Sequence, residues 1–264
     1  MTQQPDPTGA LTAECDELDK LLAGLTDEQW ELPTPAPGWT IRHQVAHLAA
    51  TFRMAGLAAS DPEAFTALMA RLDQNFSVNV ANALGEYLSD PPEVLFGRWQ
   101  AERATAVKAL SSVPADQTVP WLVNPLPPSV LMMAGMMEAF AHGQDIADAL
   151  GVQPTRTDRI RFLVAFAVRT WDFGYLAREE PRPDVEFHYE LTAPSGAVWQ
   201  FGPDNASQRI SGPAEDFCLL VTRRRHRDDL AVTAVGADAE HWLDIAQAYR
   251  GPAGEGRRPG QFAR

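Results

Sequence analysis

The stretch SVLMMAGMMEAFAHGQDIADAL, residues 129–150, decides how the first half of the chain folds. It is apolar almost without interruption over its first two thirds, which predicts a helix buried on most of its sides. The helix is expected to end at Gly151, because glycine readily adopts the left-handed conformation that closes helices. Two ionisable residues, Glu138 and His142, interrupt the apolar run, and their spacing of four places both on one face.

A carboxylate in apolar surroundings is unfavourable unless a partner compensates its charge. A metal cation is one such partner, and His142 would be a suitable second ligand. The helix predicted from Thr40 to about Ala59 supplies a third, because His47 lies on the side opposite Arg53 and should face the bundle interior. Two imidazoles and one carboxylate leave coordination positions open, and they suit zinc, nickel, iron(II) or manganese. In the alternative interpretation, His47 and Glu138 are hydrogen-bonded core residues without a metal.

Helical periodicity also predicts an N-terminal bundle. Four long helices separated by short turns or a proline-rich loop are typical of this architecture. They are predicted at about Thr8–Leu25, Thr40–Ala59, Asp61–Leu88 and Pro91–Leu110, ahead of the helix over residues 129–150.

The pattern changes after Pro181 to the alternation of apolar and polar residues that half-buried strands show. We therefore predict an α+β protein with a bundle over residues 1–155 and a small α+β domain over residues 156–264, led by a connector helix. The elements predicted in the second domain are the connector Thr157–Arg178, strands Val185–Leu191, Ala197–Phe201 and Leu230–Val235, and helices Ala214–Thr222 and Ala237–Tyr249.

Composition excludes several classes of function. The net charge of −13 argues against a nucleic acid as the main partner. No apolar run reaches the length of about 18 residues that a membrane span needs, and the N-terminus does not resemble a signal peptide. Cys15 and Cys218 lie in apolar helical patterns and are expected to be core residues, not a disulfide framework. A cytoplasmic protein that acts on a small molecule is expected, with its oligomeric state left open.

Two segments resemble a known family. PGWTIRHQVAHL (37–48) and EAFAHGQDIADALG (138–151) resemble the motif of DinB-like proteins, in which a Gly-Trp-Thr turn begins the helix that carries a metal-binding histidine. Within that superfamily the chain is similar to the branch of mycothiol-dependent maleylpyruvate isomerases and mycothiol S-transferases. These proteins join a four-helix bundle to a small α+β domain resembling sterol-carrier folds, and RISGPAEDF (209–217) extends the likeness there.

The resemblance implies that His47, Glu138 and His142 bind a divalent metal, zinc foremost, and that mycothiol is the thiol cosubstrate. The implied function is a mycothiol-dependent transferase or isomerase of a small electrophilic metabolite, in which the metal favours the thiolate. Two alternatives stay open. One is a metalloenzyme of another chemistry, such as a hydrolase or a cyclase in natural-product biosynthesis. The other is a non-catalytic protein that binds a metal or another ligand.

Further residues are candidates for the site, each with a purely structural role as the alternative. Asp145 lies one turn beyond His142 and could orient it. His43 is expected to be a partner or surface residue. Side chains of the third and fourth helices could line the cavity, and the arginines of RRRHR (223–227) could bind an anion. These candidates are Asn75, Asn79, Trp99, Arg103, Arg223 and Arg225.

Overall fold

The computed structural model describes residues 6–262, apart from the side chain of Phe76, as two compact units. The first unit ends at Pro154 and the second begins at Thr155. Within the described range, every helix is too short or too polar to cross a membrane.

The first unit is helical. Helix α3 packs against α5, α6 and α7, and α1 packs against α6 and α7, so the four longest helices form a bundle. The helices are α1 (Pro7–Leu22), α2 (Asp27–Trp30), α3 (Ile41–Ser60), α4 (Pro62–Met69), α5 (Phe76–Leu88), α6 (Pro92–Ser112) and α7 (Pro128–Leu150).

The helix predicted over residues 129–150 is α7. Proline occupies its first turn, where no backbone donor is needed, and Gly151 closes it with φ 66°. Helix α3 comes close to α6 at Gly56, where an added Cβ would lie 3.3 Å from the Cα of Ala106. Helix α3 also packs directly against α7, so both helices lie within one bundle.

The single helix predicted over Asp61–Leu88 is wrong, because the chain leaves the helix between Met69 and Phe76. Polar side chains bond the backbone there. Asn79 accepts a hydrogen bond from the Asp73 amide and donates one to the Asp73 carbonyl, both at 2.8 Å. Asn75 caps α5 by accepting from Ser77 N–H. Such local bonds compete with helix continuation.

The first helix also ends earlier than predicted, at Leu22, because Thr26 and Gln29 form a capping box that begins α2.

The second unit is built on a four-stranded mixed sheet with strand order β2-β1-β3-β4. Strands β1 and β2 form the predicted antiparallel hairpin, β3 runs parallel to β1, and β4 is antiparallel to β3. Buried aromatic rings of β1, α10 and α11 form its core, with Phe217 stacked on Trp242. The elements are α8 (Arg161–Arg169), α9 (Phe173–Leu176), β1 (Phe187–Thr192), β2 (Val198–Phe201), β3 (Gln208–Pro213), α10 (Ala214–Val221), β4 (Thr233–Val235) and α11 (Ala237–Ile245).

Several expectations for this unit are corrected. The connector Thr157–Arg178 is broken into a 3₁₀ turn, α8 and α9. The break lets Gly174 approach the Ile245 carbonyl so closely that an added Cβ would lie 2.2 Å from its oxygen. Strand β3 was not predicted, and β4 is shorter than predicted. Helix α11 stops at Ile245, before the predicted Tyr249, because the Ala248 amide donates instead to the Val221 carbonyl.

Candidate metal centre

Helices α3 and α7 bring the three predicted ligands together. The Oε2 atom of Glu138 lies 3.3 Å from Nε2 of His47 and 3.2 Å from Nε2 of His142. One potential ligand atom from each of the three residues lies within 4.8 Å of the other two. The carboxylate therefore stands between two imidazoles, one from each helix.

The cluster is half-buried, with side-chain exposures of 25% for His47, 20% for Glu138 and 12% for His142. Burial would raise the pKa of the Glu138 carboxyl, but hydrogen bonds from His142 and His47 outweigh it and hold the pKa below its usual range. Glu138 is therefore a carboxylate at neutral pH. The partial exposure leaves a route by which an ion or small molecule can reach it.

His142 is oriented by a directed chain of hydrogen bonds. The Thr34 hydroxyl donates to the Trp39 carbonyl at 2.9 Å, so its oxygen is free to accept from the Gln44 amide nitrogen at 2.8 Å. The Gln44 amide oxygen consequently points at Nδ1 of His142, 2.5 Å away. Nδ1 of His142 therefore donates to Gln44, which leaves Nε2 as the nitrogen that faces Glu138 and would face an ion bound there.

The indole ring of Trp39 packs against both histidines of the cluster. Its ring stacks on His142 with a centroid distance of 6.0 Å and contacts His47 at 5.4 Å. The turn that carries Trp39 is held by backbone hydrogen bonds from the Thr34 amide to the Trp39 carbonyl and from the Trp39 amide to the Ala36 carbonyl. Aromatic contacts on two imidazoles restrict their rotation, as a preorganised ligand set requires.

The chemistry of the donor set fits a divalent cation. Two imidazole nitrogens and one carboxylate oxygen are the protein ligands of many catalytic zinc sites, which keep a further position open. A bound cation needs a carboxylate that is ionised, and the lowered pKa of Glu138 meets this requirement. The geometry makes His47, Glu138 and His142 the residues that would hold the ion.

Comparison with known proteins adds the family. The family described as "Mycothiol maleylpyruvate isomerase N-terminal domain" matches residues 11–147, just over half of the chain. The chain belongs to this family. The match includes His47, Glu138 and His142. A second family, described as "Wyosine base formation", matches residues 183–235.

The chain is similar to other proteins in sequence and in structure. An uncharacterized protein from two strains of Mycobacterium tuberculosis is 43% identical over 247 residues, covering 94% of this chain and 96% of the relative. Two crystal structures of the mycothiol-dependent maleylpyruvate isomerase, one of them a mutant, superpose with a TM-score of 0.58. They are 15% and 16% identical, covering 86% of this chain and 91% of theirs, which shows a shared fold.

The structure also places the other residues that the sequence offered as candidates for the site of this mycothiol maleylpyruvate isomerase family member. Asp145 is buried and lies 3.5 Å from the amide nitrogen of Gln44, the residue that bonds His142. Asn75 and Asn79 serve the turn before α5 and do not line the cluster. Arg103 and Trp99 bond the Asp19 carboxylate, which gives them a structural role.

The remaining residues to compare with the sequence analysis are His43, the two arginines and Gln44. His43 is a helix-capping residue, whose Nδ1 accepts from the Thr40 amide. Arg223 and Arg225 line a cavity in the second unit. Sequence reasoning missed Gln44 as the partner of His142. The available signal was its spacing of three from His47, which places both residues on neighbouring positions of one helix face.

Proposed function

We propose that this chain holds a divalent metal ion at His47, Glu138 and His142 and catalyses a mycothiol-dependent isomerisation or S-transfer on a small electrophilic metabolite. The observation that carries the proposal is the convergence of the three ligand atoms within 4.8 Å, in a chain of the mycothiol maleylpyruvate isomerase family. The names of the solved structures with the same fold support the choice of thiol.

The nucleophile must come from outside the chain. Cys15 and Cys218 are completely buried, and burial raises the pKa of the Cys15 thiol far above its ordinary value. Neither cysteine can therefore attack a substrate at the cluster. An external thiol such as mycothiol fills that role.

Each residue of the cluster has a definite task in this reaction. A divalent cation held there would favour thiolate over thiol at neutral pH. Glu138 supplies the negative charge that retains a cation, and the two histidines complete the ligand set. Gln44 keeps the proton of His142 on Nδ1, away from the ligand atom. Trp39 covers one side of the imidazoles and limits the access of water.

The donor set supports zinc first, because two imidazoles and a carboxylate are frequent zinc ligands. Nickel, iron(II) and manganese accept the same ligands. The identity of the metal sets the acidity of a bound thiol, so each metal should give a different pH profile of turnover.

The test is thiol-dependent turnover by the full-length protein reconstituted with zinc. Maleylpyruvate serves as the electrophile, and mycothiol is present or omitted. Proton NMR follows isomerisation of the double bond, and mass spectrometry detects a thioether of mycothiol. Glu138→Gln is the inactivating variant. His43→Ala is the matched control, because His43 lies one turn from His47 on the same helix but outside the cluster.

Turnover that needs both mycothiol and Glu138 supports the proposal, and the product separates isomerase from transferase. If maleylpyruvate is inert, the S-conjugation of mycothiol to monochlorobimane tests transfer to another electrophile. A metal-loaded protein that accelerates neither reaction contradicts the thiol-dependent function.

A further inference from the structure

A cavity of about 140 Å³ lies in the second unit beside the C-terminal end of α10. Its eleven lining residues include four arginines but only two carboxylates, in a chain whose net charge is −13. The arginines are Arg223, Arg225, Arg227 and Arg257, and the carboxylates are Asp244 and Glu255. A positively charged concavity in an acidic protein indicates a site for an anion.

The backbone of Arg223 is held in an unfavourable conformation. The Arg224 amide donates to the Leu219 carbonyl and the Arg223 amide to the Leu220 carbonyl, which is the Schellman pattern at a helix end. Arg223 occupies the position that normally takes glycine, with φ 57°. A non-glycine residue in that region costs about 1 kcal/mol or more. The side chain of Arg223 is therefore present despite a conformational penalty.

The Arg223 guanidinium is half-buried and lacks a carboxylate. Among the residues that the structure describes, its side chain donates only to the Gly254 carbonyl, 3.4 Å away, and its buried Nε has no hydrogen-bond partner. Burial lowers the pKa of Arg223, and the Arg178 guanidinium nearby adds to this effect. The arginine stays charged at neutral pH. A buried charge with an unused donor is unfavourable until an anion arrives.

The neighbouring Arg227 is engaged differently, because it binds Asp244 at 2.8 Å and Glu240 at 2.9 Å. Asp244 is thus neutralised by Arg227 and does not compensate Arg223. The cavity is too small for a drug-sized ligand, which needs about 300 Å³ or more.

We propose that this cavity binds a phosphate group, free or as part of a small phosphorylated metabolite, with Arg223 as its principal ligand. A guanidinium offers a forked pair of donors that matches phosphate oxygens. The lining has more guanidinium groups than carboxylates, which favours a dianion over a single carboxylate. Every residue that lines the cavity belongs to the second unit, whereas His47, Glu138 and His142 belong to the first.

The test is isothermal titration of the full-length protein at low ionic strength with inorganic phosphate, glycerol 3-phosphate and succinate. The decisive variant is Arg223→Gly, which removes the guanidinium but suits the left-handed backbone, so its melting temperature should equal or exceed that of the wild type. Arg182→Gln is the matched control, since Arg182 is an exposed arginine of the same unit outside the cavity.

The wild type and Arg182→Gln should bind a phosphate ligand, and Arg223→Gly should bind it about tenfold more weakly or not at all. Tighter binding of glycerol 3-phosphate than of inorganic phosphate identifies a phosphorylated metabolite as the ligand, and the reverse identifies free phosphate. Equal binding by Arg223→Gly, stronger binding of succinate, or absence of binding by the wild type overturns the proposal. The zinc content of Arg223→Gly should stay unchanged, which separates this result from any failure of the metal site.

Discussion

The amide oxygen of Gln44 lies 2.5 Å from Nδ1 of His142, across the contact between α3 and α7. This bond fixes which nitrogen of His142 faces Glu138. Gln44 is fully buried, and its own amide nitrogen is held by Thr34. The orientation of the His142 ring on α7 thus depends on a residue of α3.

Replacing Gln44 should weaken metal binding without removing a ligand. In Gln44→Leu the ring of His142 loses its hydrogen-bond acceptor and can rotate or shift its proton, so zinc affinity should fall by about 10–100-fold. Competition with a chromogenic chelator measures this affinity. Gln247→Leu is the control, because Gln247 is equally buried but lies in the second unit. Unchanged affinity in Gln44→Leu, with a normal melting curve, would show that the hydrogen bond does not orient the ligand.

The two cysteines should be inert in the native protein. Both are buried in the cores of their units, and a raised pKa keeps Cys15 in the thiol form. Ellman's reagent at pH 8 should label neither residue under native conditions and both of the chain's two cysteines in denaturant. Fast labelling of the native protein would contradict the requirement for an external thiol.

The Asp19 carboxylate should be a major stabilising group of the bundle. It accepts from Trp99 at 2.8 Å, from Gln100 at 2.8 Å and from Arg103 at 2.7 Å, with a side-chain exposure of 12%. Asp19→Ala leaves these donors unpaired and should lower the free energy of unfolding by about 3 kcal/mol.

Asp16 provides the matched control for this measurement. It pairs with the same Arg103, but its side chain is 51% exposed, so Asp16→Ala should lower the free energy of unfolding by less than about 1 kcal/mol. Urea denaturation followed by circular dichroism compares the two variants. Equal losses would show that burial of the carboxylate is not what matters.

Two glycine-to-alanine substitutions should shift stability in opposite directions. At Gly174 a Cβ would collide with the Ile245 carbonyl, so Gly174→Ala should cost about 1–3 kcal/mol. Gly97 is exposed in the second turn of α6 with open space around it, so Gly97→Ala should raise the free energy of unfolding by about 0.5–1 kcal/mol. Denaturant titration of each variant measures the free energy of unfolding. A Gly97→Ala variant less stable than the wild type would show that the low helix propensity of Gly97 does not weaken α6.

Periodicity was sufficient where one physical pattern dominated. The apolar run of α7, broken only by Glu138 and His142, predicted a buried helix and its charged face. The helical pattern of α3 likewise predicted that His47 faces the bundle interior, where it lies beside Glu138. The turn at Asp73–Asn79 could not be predicted from periodicity, because side-chain bonds to the backbone interrupt an otherwise helical composition.

Long-range contacts account for the remaining differences. Strand β3 is paired on both sides by strands from other parts of the chain, so its structure depends on partners that local sequence does not specify. Gln44 is similar, since its role depends on Thr34 and His142 being brought to it by the fold. A role for Asp145 in orienting His142 stays a prediction, and its carboxylate lies 3.5 Å from the amide nitrogen of Gln44, the partner of His142.

The most direct test of the central claim is the metal content of the reconstituted protein. Full-length wild type, His47→Ala, Glu138→Ala and His43→Ala are each incubated with zinc, freed of unbound ion by gel filtration, and measured by elemental analysis. We expect about one zinc per chain in the wild type and His43→Ala, and little in the two ligand variants. A folded wild type that retains no zinc, nickel, iron(II) or manganese, or ligand variants that retain as much as the wild type, would contradict the account.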